Sequence, residues 1–439
     1  MIARSAVVWT IKYGLPGLGM RIAGRRGELI SRLVVDPTLR DDPFPAYDAM
    51  RASGPLVRGR FVSATASYAV ANELLRSDLF QAGPTPAPNA RLARLLDRAL
   101  DPRALGPDDP PSLLAINGVQ HTRLRKLVSH AFTPRAIGAL SARVEEIAHE
   151  LLDRIAGRHF DLVDSYAALL PVTVIAEILG VPPGMRRQFL EWVDLAALAL
   201  EPALPWRDYR RADAANRQSH DWLDAHIAQL RRAPGEDLLS RMIQAADGSD
   251  RLTDTELRVT ALLVLGAGFE TTVNLIGNAV ALLLAHPAQL TELLREPAGW
   301  PNAVEEVLRF DSPVQVTLRA AGVDTSVAGE PVPAGRPVVI VLGGANRDPA
   351  RFGDPHRFDT TRRAARDHLA FSAGPHFCLG AQLARLEAAT ALRVLFSRFP
   401  DLTLAGAPTR RTTRVLRGYQ QLPVAKAPTS AHTSGTAAR

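Results

Sequence analysis

The stretch from Thr253 to His286 constrains this chain more than any other. Thr253-Asp254-Thr255-Glu256 has the form of a capping box, in which the Thr253 hydroxyl accepts from a free backbone N–H and Glu256 reaches back. Apolar residues then follow almost without relief, through Leu262, Leu263, Val264, Leu265, Val273, Ile276, Val280, Leu283 and Leu284, until His286-Pro287 stops the run. A helix of about 33 residues at ~1.5 Å each spans roughly 50 Å, the width of a globule. Apolar on every side, it is predicted to be a core helix around which the rest is wrapped. Its middle breaks the pattern, since Gly266-Ala267-Gly268-Phe269-Glu270-Thr271-Thr272 puts small residues, a carboxylate and two hydroxyls where Leu should sit. Two readings of that interruption stand. Either small side chains let a flat ligand approach while a Thr hydroxyl bonds back to a carbonyl and loosens the ladder, or the glycines make a helix–helix contact with Glu270 paired to an arginine.

The remaining pattern is helix-dominated with a β-rich island. Apolar positions at helical spacing run over 135–155, 172–179, 185–200, 209–230 and 381–399. A strand pair is predicted at 56–70, and short extended pieces at 314–341 between Gly322, Gly329, Pro331, Pro333 and Gly335. Prolines 84, 86, 88, 102, 107, 110 and 111 make 82–111 a long irregular loop with room for a helix only near 91–100, and loops of that length usually serve a binding site.

Composition excludes several functions. With 46% hydrophobic and 22% charged residues in 439, the chain can bury a large core. Lys occurs only at 12, 126 and 426, so 49 of the 52 basic residues are Arg, and they are spread along the chain. With no aromatic-interleaved basic run, the net charge of +7 does not point to nucleic acid. No Lys is followed by Ser or Thr, which removes a Walker phosphate loop, and no glycine run completes a dinucleotide fingerprint. His149-Glu150-Leu151-Leu152-Asp153 has Asp where a zincin helix needs its second His. One cysteine, Cys378, rules out internal disulfides and fits a reducing cytoplasm. The apolar stretch 6–22 is interrupted by Lys12, Gly14 and Pro16 and is too short to span a membrane of ~20 residues, so residues 1–40 are expected to form an arm packed on the body, with membrane-surface contact as the alternative. A disordered tail is expected over 425–439.

The strongest local pattern is Phe371-Ser372-Ala373-Gly374-Pro375-His376-Phe377-Cys378-Leu379-Gly380, directly before the helix predicted at 381–399. A cysteine at the start of a helix has its thiolate stabilised by free N–H groups and the positive dipole end. Gly374 and Gly380 allow tight turns and close approach of backbone to a planar ligand.

These features together resemble the cytochrome P450 family of haem-thiolate monooxygenases over about Asp41 to Pro423. Phe371 to Gly380 is similar to the haem-binding loop, 267–272 to the oxygen-activating stretch, Glu306-Val307-Leu308-Arg309 to the family's Glu-x-x-Arg, and Pro355-His356-Arg357-Phe358 to its arginine-bearing partner. Glu270 to Asn278 and His368 to Gly380 look most like the soluble actinobacterial, particularly mycobacterial, branch.

The resemblance implies a mainly α fold with small β-sheets, a triangular prism-like helical body and a β-rich minor region, forming a single domain over 41–424. It implies haem b with Cys378 as axial ligand, Phe371, Ala267 and Gly380 against the haem, and His121, Arg125, Arg319 and His376 on its propionates. Glu306, Arg309 and Arg357 would form a charge-assisted cluster behind the cysteine loop. Thr271 would hold dioxygen and a water, and Glu270 would feed protons; the family often has Asp there, and Glu270 is one methylene longer. Thiolate donation from Cys378 would favour O–O cleavage. With no flavin or nicotinamide module, electrons would come from a separate ferredoxin and its reductase, docking on a cationic face near Cys378 that uses Arg123, Lys126 and Arg385. The expected reaction is insertion of one atom of O2 into a small apolar substrate, by a cytoplasmic monomer without nucleic acid or a transmembrane segment. The alternatives are a non-catalytic haem protein that binds or senses a lipophilic ligand, and a peroxide-driven oxygenase; the acid–alcohol pair at 270–271 argues against both. The substrate pocket is expected between 82–111, 195–209 and 314–317, whose Leu, Ala and Pro content predicts an apolar compound.

Overall fold

The capping box forms. Thr253 Oγ1 accepts from the Glu256 N–H at 3.1 Å and Glu256 accepts from the Thr253 N–H at 2.8 Å, opening a helix Asp254–Ala285 of 32 residues. It lies in a computed structural model that describes residues 2–83, 90–101, 104–246 and 252–427. By length and apolar character this helix could cross a membrane, yet 67% of its most apolar window is buried inside the body. Helices Leu169–Ile178, Trp300–Phe310 and Ala381–Arg398 pack on it. Phe269, Val273, Leu275, Ile276, Ala279, Val280 and Leu283 from the central helix join Leu170, Ile175, Ala303, Val307, Leu392 and Leu395 in one continuous core. The predicted helices all form, with a break at Leu140 that divides 135–155 into Pro134–Ala139 and Ser141–Asp153. In the proline-rich loop the helix is Ala90–Ala99; prolines 84, 86, 88 and 102 lie outside the described residues.

The β-rich island is a five-stranded sheet in the order Val57–Arg58, Ser63–Thr65, Pro337–Val341, Val316–Ala321, Phe80–Gln81. Ser63–Thr65 runs parallel to Pro337–Val341, with Thr65 opposite Ile340, and Val316–Ala321 runs antiparallel to it, with Val316 opposite Val341. Val338, Val339, Ile340 and Val341 suit a pleated surface buried on both sides. Beneath the sheet, Leu74, Leu75, Phe80, Val338 and Ile340 pack with Leu369 and Ala373, so the sheet and the cysteine loop share a core.

That loop is also anchored from behind. Glu306 and Arg309, three apart on one helix face, are fully buried and joined by two bonds, Nε to Oε2 at 2.7 Å and Nη2 to Oε1 at 2.8 Å. Arg309 donates further to the carbonyls of Asn346 at 3.0 Å, Pro355 at 2.9 Å and Arg357 at 3.2 Å. Asn346 Oδ1 in turn accepts the Leu369 N–H at 2.6 Å, two residues before Phe371. The expected third cation is not Arg357. Its guanidinium, 64% exposed, turns outward to Asp354 at 3.2 Å and Asp359 at 2.8 Å, and it gives the cluster only its carbonyl. Arg362, five residues on, reaches Glu306 at 3.3 Å from a 10% exposed side chain. Two carboxylates flanking Arg357, the exposed Asp354 and the half-buried Asp359, capture its charge before it can turn inward.

The first forty residues are helical: Ile2–Trp9, Leu15–Arg25, Leu29–Val35 and Thr38–Asp41, with a widened turn at Thr10–Gly14. They pack on the body through Trp9 Nε1 to the Leu204 carbonyl, Tyr13 Oη to the Ala199 carbonyl (both 2.9 Å), and Lys12 to Asp109 at 2.6 Å. At the other end order persists past the expected boundary. Ala425 pairs with His159 in the strand Pro423–Ala425, and Lys426 N–H donates to the Arg158 carbonyl at 3.1 Å. The rest of the expected tail, 428–439, lies outside the described residues.

Candidate functional site

Two bonds shape the cysteine loop. The Cys378 N–H donates to the Phe371 carbonyl at 2.9 Å and closes the loop, and the Phe377 N–H donates to the Gly374 carbonyl at 3.1 Å. Gly374 takes φ +66, and a Cβ there would sit 2.5 Å from the Leu75 carbonyl, so only glycine fits. Phe371 is held on two sides, with the Arg385 guanidinium 4.6 Å from its centroid and the His368 ring at 5.6 Å. Glu305 fixes both neighbours, accepting from Arg385 at 2.6 Å and lying 3.0 Å from His368 Nε2. Burial pushes Glu305 up, but its bonds to His368 and Arg385 prevail and hold the carboxyl at about 2.

The Cys378 sulfur faces a cavity of about 1220 Å³. Packing around it pushes the thiol above its ordinary value of 9.0, while the Gly380 N–H and the Arg125 and Arg385 charges work the other way. Helix Ala381–Arg398 begins three residues later, and desolvation outweighs the donors.

Four cations or potential cations converge on the same cavity. Arg125 Nη2 donates to the Phe377 carbonyl at 2.7 Å, and the His121 and His376 rings stand 4.2 Å apart. Arg319, 4% exposed, finds only the Leu318 carbonyl at 2.8 Å and Thr317 Oγ1 at 3.4 Å. Among the described residues no carboxylate reaches any of the four. Burial alone lowers Arg319 to about 10, and burial with the charges of Arg319, His121 and Arg125 lowers His376 to about 3. Uncompensated charge in such a place calls for a dianionic ligand. A thiol, a largely apolar cavity and a cation cluster fit haem b, whose iron would take Cys378 and whose propionates would take His121, Arg125, Arg319 and His376.

Phe371, Ala267, Gly380, Glu270 and Thr271 line the cavity too. The glycines beside Ala267 line the cavity and also allow close helix contacts. A Cβ on Gly268 would lie 3.0 Å from Ile175 and one on Gly266 would lie 3.4 Å from Val193. Thr271 Oγ1 donates to the Ala267 carbonyl at 3.0 Å, and the helix stays continuous through it. Glu270 is 3% exposed and pairs with Arg411 at 3.1 Å, while its Oε2 has no partner. Burial raises its carboxyl to about 7, against the attraction of Arg411 and with a contribution from Asp194. Arg411 also meets Asp194 at 2.5 Å, and Asp194 is 53% exposed. Glu270, Arg411 and Asp194 thus form a file of charged groups from the cavity to the surface.

Arg411 and Asp194 escaped the sequence reading, because three residues from distant segments meet only in the fold. So did Asn117, which accepts the Ala82 N–H, donates to the Ala82 carbonyl and lies 3.2 Å from His376 Nε2. Glu387 is a further omission. It is buried beside Thr272 with neither oxygen partnered, and burial pushes it well above the carboxyl range. Its only sequence signal is an acid on an apolar helix face nine residues after Cys378. The expected pocket segments all line the cavity, through Ala82, Leu96, Leu105 and Pro107, through Ala196 and Leu200, and through 314–317. The proposed cationic face is weaker than expected. Arg123 is paired to Glu256 and Arg385 to Glu305, which leaves Lys126 as the exposed member.

A model of the family "Cytochrome P450" matches residues 184–297 and 301–412. The chain is 49% identical over 425 residues to putative cytochrome P450 140 of Mycobacterium tuberculosis, covering 96% of this chain and 97% of that protein. It is 44% identical over 325 residues to 6-deoxyerythronolide B hydroxylase of Saccharopolyspora erythraea, covering 73% and 77%. The crystal structure of ligand-free CYP164A2 from Mycobacterium smegmatis superposes with a TM-score of 0.82 at 37% identity, over 90% of this chain and 99% of that one.

Proposed function

The chain belongs to the cytochrome P450 family and is a haem b monooxygenase; on that premise we propose that it inserts one atom of O2 into a C–H bond or alkene of an apolar organic compound, with electrons from a separate ferredoxin and its reductase. The observation that carries this reading is that one cavity is lined by the Cys378 thiol, an uncompensated cation cluster, the Thr271 hydroxyl and a carboxyl poised near neutrality at Glu270. A relative that is named a hydroxylase supports hydroxylation as the outcome. The single free cysteine supports a cytoplasmic setting.

When bound, haem b supplies an iron that takes the Cys378 thiolate and activates O2, the thiolate favouring O–O cleavage. Everything else falls to the chain. Arg125, Arg319, His121 and His376 would hold the cofactor by its propionates, and Phe371, clamped between Arg385 and His368, would steady the start of the loop that presents Cys378. Ala267, with only a methyl side chain, keeps the cavity wall open beside Thr271. Thr271 Oγ1, now donating to the Ala267 carbonyl, is the hydroxyl that would hold and pass on a proton at the cavity wall. Glu270 Oε2, buried without a partner, stores that proton, and Arg411 and Asp194 connect it to the exterior. Leu96, Leu105, Leu113, Ala196 and Val316 exclude water and receive the substrate.

The reduced protein exposed to carbon monoxide is expected to give the red-shifted band of a thiolate-bound adduct, and its absence in fresh protein would overturn the assignment of Cys378. Thr271→Ala is expected to keep haem and that band but to divert most electrons into hydrogen peroxide. The check is the ratio of product to reductant consumed with a turned-over substrate. An unchanged ratio would remove Thr271 from the proton path and favour a ligand-binding protein.

A further inference from the structure

Twelve large apolar side chains are exposed among the described residues, and four of them gather on one face: Leu15, Leu18, Ile22 and Phe61. On the helix Leu15–Arg25, Leu15 (54% exposed), Leu18 (53%) and Ile22 (44%) fall at spacings of three and four and form one outward stripe. The Phe61 ring continues it, lying 3.1 Å from where a Cβ on Gly19 would be. The first helix joins this face to the start of helix Trp206–Arg232, with Trp9 and Trp206 at 5.6 Å.

Cations border the stripe. In the first 35 residues the only acid is Glu28, against Arg4, Lys12, Arg21, Arg25, Arg26 and Arg32. Glu28 is turned onto Ser31 Oγ and the Arg60 backbone N–H. Arg4, Arg21, Arg25, Arg26 and Arg60 are exposed, and among the described residues no carboxylate meets their guanidinium groups. The stripe is also continuous with the site, because Leu15, Pro16, Gly19, Met20 and Phe61 line the outer end of the cavity that holds Cys378.

We propose that this face docks peripherally on an anionic lipid surface, with Leu18 and Ile22 in the acyl boundary, Arg21, Arg25 and Arg26 on headgroup phosphates, and the cavity mouth towards the lipid. The helix of 11 residues is about 16 Å long, far short of a bilayer core of ~30 Å, so it lies in the interface plane. The charge pattern selects lipid over a second copy, since a symmetric pair through this face would bring the same arginines together. Docking stands independently of the catalytic reading; the corollary that an apolar substrate enters from the lipid rests on it.

The holoprotein is expected to sediment with vesicles of phosphatidylcholine and phosphatidylglycerol, to remain in solution with phosphatidylcholine alone, and to be released by salt. Replacing Arg21, Arg25 and Arg26 together by Gln should weaken partitioning about a hundredfold, at roughly a factor of five for each charge near the surface. Leu18→Ser with Ile22→Ser should weaken it about tenfold, with the thermal midpoint and the carbon monoxide band unchanged. Wild-type protein left in the supernatant with anionic vesicles would overturn the proposal. So would binding that neither variant alters, or a dimer in light scattering that the Ser pair dissolves. The carbon monoxide band reads the haem site separately, so failure of docking and failure of the monooxygenase reading are distinguishable.

Discussion

Arg309→Met is expected to cost about 3–5 kcal/mol, because it leaves the Glu306 carboxylate in the interior with its main counter-charge gone. Neither side chain of the pair has any exposed surface. The lost guanidinium also abandons three carbonyls, on Asn346, Pro355 and Arg357, and with them the link through Asn346 Oδ1 to the Leu369 N–H. Against a total stability of ~5–15 kcal/mol such a loss is severe, and the cysteine loop is the segment it releases. Soluble holoprotein should fall to a small fraction, and what remains should unfold at much lower urea. Arg309→Lys should rescue little, since an ammonium cannot form the two-pronged bond to Glu306. Replacing both partners by Leu should cost less than Arg309→Met alone, because the fully buried carboxylate goes with its counter-charge and Arg362 keeps the carbonyls of Gly353, Asp354 and Arg357 as partners. Arg357→Ala, at an exposed side chain, should stay within about 0.5 kcal/mol of the parent. Equal damage from Arg357→Ala and Arg309→Met would restore Arg357 to the cluster in place of Arg362.

That contrast marks what the sequence could carry. Glu306 and Arg309 were legible because their spacing of three defines a helix face, and Thr253 with Glu256 because a capping box is local. Cys378 was legible because glycines, aromatics and a histidine stand at fixed offsets around it, each with a local job: Gly374 under the Leu75 carbonyl, Phe371 accepting the Cys378 N–H, His376 among the cations. Arg357 was misplaced because the choice between two arginines five residues apart depends on which carboxylates lie nearby, and Asp354 and Asp359 settle it only once the chain has turned. Gly266 and Gly268 were ambiguous for a similar reason: a small residue states that something comes close, and only the fold reveals Val193 and Ile175 there. Arg411 and Asp194 carried no signal at all, being about 140 and 80 residues from Glu270 in sequence.

Their partner Glu270 supplies the second large expectation. Glu270→Gln should lower product formation by about a hundredfold or more, the usual scale for losing a positioned proton donor, while making the protein more stable above neutral pH. Burial lifts this carboxyl from 4.5 to about 7, so the folded chain binds the proton more tightly than the unfolded one. The benefit is fully present below pH 4.5 and is lost as pH rises through about 7, a difference worth roughly 3 kcal/mol when complete. Gln, neutral at every pH, escapes that loss, and Arg411 keeps Asp194 as a partner. Turnover in the parent should be level below pH 7 and decline above it as the donor form is depleted, and that limb should vanish in the variant. Thermal midpoints at pH 6 and pH 8, read beside the pH profile of coupled turnover, separate the possibilities. A residue kept for packing would lose stability on replacement and leave the limb in place. A proton donor gives the opposite pair, since holding an acid uncharged against the cavity wall is costly for the fold and useful only to the reaction.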